Sequence, residues 1–309
     1  MNRQRLGTSA LLTSRMAYGC MRIVGTWNPA EVTTARVEAG KAAILAAYES
    51  GYRLFDHADI YCAGECEKVH GELLKDIPSM RREIHIATKC GIRWDGGQHR
   101  YDFSREHIIA SCDASLKKLN VEVIDLYQLH RPDYLMEPDE IATAFTRLHS
   151  AGKVRVFGVS NFSTSYVNLL QSRVSFSLAV NQVEVHLGRL DCFWDGTIDQ
   201  CHQLKMTPLS WSPLGGGFLG TGGTVAADNP RAEGLTNLLK VLDETAANHN
   251  TDRTAISLAW LMHHPSGIIP IVGSAKPENI RASTKALDVK LSREDWYRIF
   301  IAAQMKALP

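Results

Sequence analysis

The chain has 309 residues, 45% hydrophobic and 22% charged, values ordinary for a folded globular protein and wrong for a disordered one. Lys and Arg number 34 against 33 Asp and Glu, a net charge of +1, so no bulk field favours nucleic acid or an anionic membrane. No apolar run approaches the roughly 18 residues of a membrane helix, and the arginine-bearing start (MNRQRLGTSALLTSR) lacks the apolar stretch of a secretory signal. The expected location is therefore the cytoplasm.

Short β-branched runs alternate with longer amphipathic segments. Strands are predicted at residues 15–18, 53–56, 84–89, 124–130, 155–160, 179–184, 208–212 and 268–272. Helices are predicted between them. One covers 37–50, with Gly51 as its stop. Another covers 104–119, where Ser104 is only a fair cap because His107, not Glu or Gln, stands three residues on. A third covers 138–150, ending at Ala151-Gly152, and a last one lies around 292–305. Gly215, Gly216, Gly217, Gly220, Gly222 and Gly223 follow the seventh strand and read as a mobile loop. No Ser/Gly/Pro-rich linker divides the chain. Eight strands alternating with helices imply parallel βαβ units throughout, a single (β/α)8 TIM barrel of the α/β class over residues 1–309. A doubly wound nucleotide-binding sheet would carry GxGxxG after an early strand. Gly19-Cys20-Met21-Arg22 follows the first strand instead, and that rival fails.

The cysteines Cys20, Cys62, Cys66, Cys90, Cys112, Cys192 and Cys201 are odd in number and scattered, as expected of buried or incidental thiols in a reducing compartment. Cys62 and Cys66 form a lone CxxxC with no second pair at zinc-ribbon spacing, which leaves a redox role for Cys62, beside Tyr61, as a minor alternative. Asp56, His57 and Asp59 are all metal-ligand types. Adjacent residues on a strand point to opposite faces, however, so Asp56 and His57 do not easily share an ion, and no metal is expected.

Polar residues capable of chemistry fall at successive strand ends: Asp56, Lys89, His130, Ser160 with Asn161, Gln182 with Glu184, Ser212 and Ser274. A closed parallel barrel gathers all these ends on one face, where active sites are built.

On these residues the chain resembles the aldo-keto reductases. Asp56-His57-Ala58-Asp59-Ile60-Tyr61 is similar to their DxAxxY segment, and Ile86-Ala87-Thr88-Lys89 to their lysine strand. Asp125-Leu126-Tyr127-Gln128-Leu129-His130-Arg131-Pro132 resembles their histidine strand, Gly158-Val159-Ser160-Asn161-Phe162 their GVSNF, and Asn181-Gln182-Val183-Glu184 their NQxE. The local detail (HADIY, TKCG, QLHRPD, SPLGGG) looks most like the short-loop bacterial oxidoreductase branch. Asp56, Tyr61, Lys89 and His130 would then be the family's catalytic tetrad. The chemistry is consistent. A phenol with a pKa of about 10 donates poorly at neutral pH, and an ammonium beside it favours the phenolate and lowers that value. Lys89 is the candidate ammonium, Asp56 its carboxylate partner, and His130 a donor that polarises the substrate carbonyl.

The resemblance further implies a nicotinamide cofactor, NADPH, on the barrel top. Ser160, Asn161 and Gln182 would bind its carboxamide, Trp211 would stack on the nicotinamide, and Ser212, Leu214 and Gly215 would cradle the pyrophosphate. Asp56 also borders the cofactor, and Cys20 and Met21 stand where Thr and an aromatic are common. The segment from Ile271 to Arg281 resembles the one that binds the adenosine 2′-phosphate through Ser274, Lys276 and Arg281. It departs from the PKSxxxxR pattern, with Gly273 in place of the lysine and Asn279 where the arginine often sits. The expected function is NADPH-dependent reduction of a small-molecule aldehyde or ketone by hydride transfer, with Tyr61 as general acid. The alternative is a cofactor-binding, redox-sensing subunit with little turnover. The physiological substrate and the oligomeric state are not legible in the sequence.

Overall fold

The computed structural model describes residues 3–94 and 98–308. Eight strands close into one parallel barrel. They are β1 (Ala17–Gly19), β2 (Leu54–Asp56), β3 (His85–Cys90), β4 (Ile124–Leu129), β5 (Val154–Ser160), β6 (Val180–Glu184), β7 (Thr207–Trp211) and β8 (Ile269–Val272). The closing pair is β8 with β1, with Ile271 opposite Ala17 and Val272 opposite Tyr18. Each strand lies where the sequence predicts one, within a few residues. Inside the barrel Leu54, Ala87, Leu126, Val180, Leu209 and Ile269 form an apolar plug.

The helices are α1 (Thr34–Glu49), α2 (Glu65–Asp76), α3 (Arg105–Leu119), α4 (Pro138–Ser150), α5 (Thr164–Gln171), α6 (Thr197–Gln203), α7 (Ala232–Asn248), α8 (Arg253–His263), α9 (Pro277–Ala282) and α10 (Arg293–Gln304). Both α7 and α8 lie between β7 and β8. Local chemistry sets the boundaries. α1 starts earlier than its periodicity predicts because the Thr33 side chain accepts from Arg36 N–H. Ser104 caps α3 through His107 N–H without an acidic partner at that position, because Asp102 accepts from both the Ser104 hydroxyl and its N–H. α10 opens with a capping box of Ser292 and Asp295. Among the described residues no helix is long and apolar enough to cross a membrane.

Two antiparallel hairpins were not foreseen. Arg3–Arg5 pairs with Leu12–Ser14 and closes the amino end of the barrel, where Gln4 donates to Gly267 O at 2.6 Å and Gly7 N–H to the Thr207 hydroxyl at 2.8 Å. Ile92–Trp94 pairs with His99–Tyr101 beyond the carboxyl end of β3. Strands of three residues are too short to show periodicity. The glycine segment after β7 is tied back to α8, where Arg253 donates to Gly223 O at 2.8 Å and Thr221 N–H to the Thr254 hydroxyl at 2.9 Å.

Asp125, near the amino end of β4, fastens three strands from below. It accepts from Ile86 N–H at 2.9 Å and meets Arg81 at 2.9 Å and Arg155 at 3.0 Å, with its side chain only 2% exposed. Burial pushes its carboxyl up, but the His85 hydrogen bond, the Arg81 charge and the Ile86 N–H outweigh it, and the net shift is downward. A carboxylate lowered on folding stabilises above its unfolded pKa of about 3.9, and that contribution is lost as pH falls through the lower folded value. Asp125→Asn should cost about 1–3 kcal/mol in urea unfolding at neutral pH. The difference should shrink once acid neutralises the wild-type carboxyl. Equal unfolding midpoints at neutral pH would exclude Asp125 as a stabilising group.

Candidate active site

The carboxyl ends of the strands open on one face. β2 ends at Asp56, β3 carries Lys89 as its second-last residue, and His130 directly follows β4. Lys89 is fully buried, yet its ammonium is satisfied. It donates to Asp56 Oδ2 at 2.8 Å, to the His57 carbonyl at 2.6 Å and to the Tyr61 hydroxyl at 3.1 Å. The Tyr61 ring stands edge-on to His130, with centroids 5.9 Å apart. The four residues expected to act together are thus in one cluster.

Tyr61 is delivered by a tight turn. Cys62, Ala63 and Gly64 follow it with φ of 46°, 54° and 90°, three consecutive left-handed residues of which two are not glycine. Such backbone persists only where the surroundings impose it. Here Lys118 of α3 donates to the Ala63 carbonyl at 3.2 Å. Gly64, at φ 90°, adopts a backbone conformation that residues with a side chain rarely take.

Charge states follow from burial and neighbours. Burial disfavours the Lys89 ammonium, but Asp56 and Tyr61 more than compensate and its pKa is raised. The Tyr61 phenol differs from the expectation of a lowered value. Burial pushes it up, and the opposing pull of Lys89 does not fully cancel that and the push from Asp56. Tyr61 therefore stays protonated at neutral pH. His130 is pushed well below the ordinary imidazole range by burial and by Lys89 and Arg131, so its ring is neutral.

Around the tetrad, Gln182 of β6 donates to Asp56 Oδ1 at 2.8 Å, holding the carboxylate oxygen that Lys89 leaves free. Ser160 donates to the Gln182 carbonyl at 2.9 Å. Asn161, at φ 59°, donates to the Ser160 hydroxyl at 2.8 Å and to the His130 carbonyl at 3.3 Å, and accepts from Trp211 Nε1 at 2.9 Å. The three polar residues expected at the carboxamide are therefore adjacent and mutually ordered. Trp211 is half-buried at the mouth, and the Arg131 guanidinium lies over its ring at 5.4 Å. After β7 the chain turns through left-handed Ser212 and Gly215, and Cβ atoms on Gly216, Gly217 or Gly273 would meet nothing within 4 Å. That open backbone, with half-buried Leu214 beside it, fits a pyrophosphate group.

Other expected contacts separate. Cys20 is wholly buried and offers a nicotinamide cofactor no surface, whereas Met21 is 36% exposed. Ser274 is half-buried, its hydroxyl accepting from Lys276 N–H at 3.2 Å and its carbonyl from Tyr18 OH at 3.1 Å. Lys276 is exposed, with no ion-pair partner among the described residues. Arg281 instead pairs with Glu49 of α1 at 3.4 Å. Pro277 opens the six-residue α9, so its first turn presents fewer free N–H groups than expected.

The sequence reading missed the Gln182–Asp56 bond, Arg131 over Trp211, Lys118 beneath the tyrosine turn, and Trp27. Trp27 is 61% exposed and edge-on to Tyr61 at 6.2 Å. Only Gln182 had a signal, its place at a strand end facing Asp56 across the barrel.

Tyr61→Phe should fold normally and lose about 10²–10⁴-fold in kcat for carbonyl reduction, the usual worth of a positioned acid. Lys89→Met should be similarly damaging and should raise the phenol pKa further. The alkaline loss of the remaining activity should then move to higher pH. A profile in its wild-type position would disprove the coupling.

Comparison with known proteins agrees with this geometry. Residues 15–303 match the Aldo/keto reductase family. The uncharacterized oxidoreductase YcsN of Bacillus subtilis is 38% identical over 302 residues, covering 96% of either chain. A 6-dehydroglucose reductase of Novosphingobium aromaticivorans is also 38% identical, over 99% of this chain and 97% of its own. The oxidoreductase YdhF of Escherichia coli is 41% identical over 82% of this chain and 83% of its own. Among solved structures, the glycerol dehydrogenase of Gluconobacter oxydans superposes with a TM-score of 0.86 at 24% identity, over 99% of this chain and 97% of that one. The chain belongs to the aldo/keto reductase family and is a carbonyl oxidoreductase of the kind that works with a nicotinamide cofactor.

Proposed function

We propose that the protein reduces an aldehyde or ketone with NADPH, using Tyr61 as general acid. The observation that carries this reading is the fully buried Lys89 ammonium, 3.1 Å from the Tyr61 hydroxyl and 2.8 Å from Asp56. When bound, NADPH supplies a hydride to the carbonyl carbon. Tyr61 gives its phenolic proton to the carbonyl oxygen, and the adjacent ammonium stabilises the phenolate left behind. Neutral His130 donates a hydrogen bond to the same oxygen and draws charge toward it. Asp56, fixed by Lys89 and Gln182, balances the lysine charge without touching the substrate. The seven cysteines are free and buried, in keeping with a reducing cytoplasm.

Two relatives, from Novosphingobium aromaticivorans and Agrobacterium fabrum, are 6-dehydroglucose reductases, at 38% and 36% identity. We extend the reading to a polar sugar aldehyde as substrate. The mouth suits one, since exposed Trp27, beside Tyr61, offers a face for sugar C–H groups. Turnover with NADPH of a sugar aldehyde against an alkyl aldehyde of similar size tests this. Preference for the alkyl compound would reject the sugar assignment, and no turnover of either would reject the reductase.

Selection of NADPH over NADH rests on Lys276, the exposed cation without an ion-pair partner among the described residues, and on Ser274. Lys276→Ala should weaken NADPH binding by roughly 10–100-fold, the worth of one charged hydrogen bond, and leave NADH nearly unchanged. Arg281→Ala should have a smaller effect, because Glu49 already engages that guanidinium. Equal dissociation constants for NADPH and NADH in the unmodified protein would refute the assignment.

A further inference from the structure

Asp56 and His57 are neighbours that strand alternation sends apart. Asp56 enters the tetrad, while His57 turns toward α2, where its Nε2 lies 2.8 Å from His70 Nδ1. Cys20, from the turn after β1, completes a cluster in which one ligand atom of each residue lies within 4.8 Å of the others. All three residues are wholly buried. Each imidazole keeps one ring nitrogen, His57 Nδ1 and His70 Nε2, buried and without a hydrogen-bond partner.

We infer that Cys20, His57 and His70 form a binding site for a soft divalent cation, best suited to zinc, whose occupancy slows the reductase. One thiolate and two neutral imidazoles are the donor set zinc prefers over magnesium or calcium. Zinc–ligand bonds of about 2.0–2.3 Å place tetrahedral donors roughly 3.3–3.7 Å apart, so short side-chain movements would close the cluster on an ion. A second thiol, Cys66, adjoins it, with its Sγ donating to the Met21 carbonyl at 3.6 Å. Asp59, a ligand type in the sequence, is not part of this group.

Binding replaces the Cys20 thiol proton, which goes to solvent, and breaks the imidazole–imidazole hydrogen bond, whose proton moves to the far nitrogen of the ring that carried it; no electron is transferred. The effect on catalysis follows from connectivity. The His57 carbonyl accepts from Lys89, the ammonium that also holds Asp56 and Tyr61. Drawing His57 and Cys20 onto an ion shifts that carbonyl and with it the lysine. The inhibitory part of the inference rests on the reductase reading, whereas the binding part does not.

The test uses the whole, chelator-treated protein and Co²⁺ as the probe. Cobalt should produce a thiolate-to-metal charge-transfer absorption that saturates at one equivalent and is abolished by zinc. Cys20→Ser should lose the band. His70→Phe should bind cobalt more weakly by more than the roughly 10–100-fold that even an outer-sphere partner costs. Near-UV circular dichroism checks the fold, and either folded variant alone is decisive. Stoichiometric zinc should slow carbonyl reduction in the unmodified enzyme and have little effect on His70→Phe, each rate taken relative to the same protein without metal. No band at stoichiometric cobalt, or an unchanged band in a folded variant, would overturn the site. Zinc bound without loss of turnover would overturn its inhibitory role.

Discussion

A fully buried ammonium organises the mouth of this barrel. Removing a lysine charge from water is strongly unfavourable unless every proton finds an acceptor and the charge a counterion. Lys89 has three protons, and Asp56, the His57 carbonyl and the Tyr61 hydroxyl take one each. That requirement binds β2, β3 and the turn after β2 into one arrangement. Gln182 extends the constraint to β6 through the second oxygen of Asp56. The same desolvation that disfavours the lysine charge also raises the tyrosine, so the phenol keeps its proton.

Stability and chemistry are divided along the strands. On β4, Asp125 lies near the amino end, held by Arg81, Arg155 and Ile86 N–H, while His130 follows the carboxyl end beside Tyr61. Parallel strands make this division general, because all their carboxyl ends share one face. The short N-terminal hairpin closes the opposite face, away from the reacting groups. The price of the division appears at Cys62 and Ala63, where left-handed backbone brings Tyr61 over the lysine and Lys118 holds it there.

The cofactor side is organised differently. Ser160, Asn161, Gln182 and Trp211 are ordered by bonds to one another, so their geometry exists before any ligand arrives. The residues proposed to meet the adenosine end, Lys276 and Arg281, are surface groups whose availability depends on neighbours. Glu49 engages Arg281 from a helix more than two hundred residues earlier in the chain, while Lys276 is left to solvent.

The eight strands and the four helices α1, α3, α4 and α10 were legible because hydrophobic period and punctuation are local, as at Pro138–Ser150, where proline opens the helix and Ala151-Gly152 ends it. The nearness of Asp56, Lys89 and His130 was legible because parallel closure converts strand-end position into proximity, whereas their grouping with Tyr61 came from the resemblance to the family. Folding settled what depends on distance and burial. The net upward shift of Tyr61 follows from desolvation, which no motif encodes. The enclosure of Cys20, its meeting with His57 and His70, and the pairing of Arg281 with Glu49 join residues remote in sequence. Such contacts arise from the radius of the closed barrel and the packing of α1 and α2 against it, quantities that emerge only when the whole chain has folded.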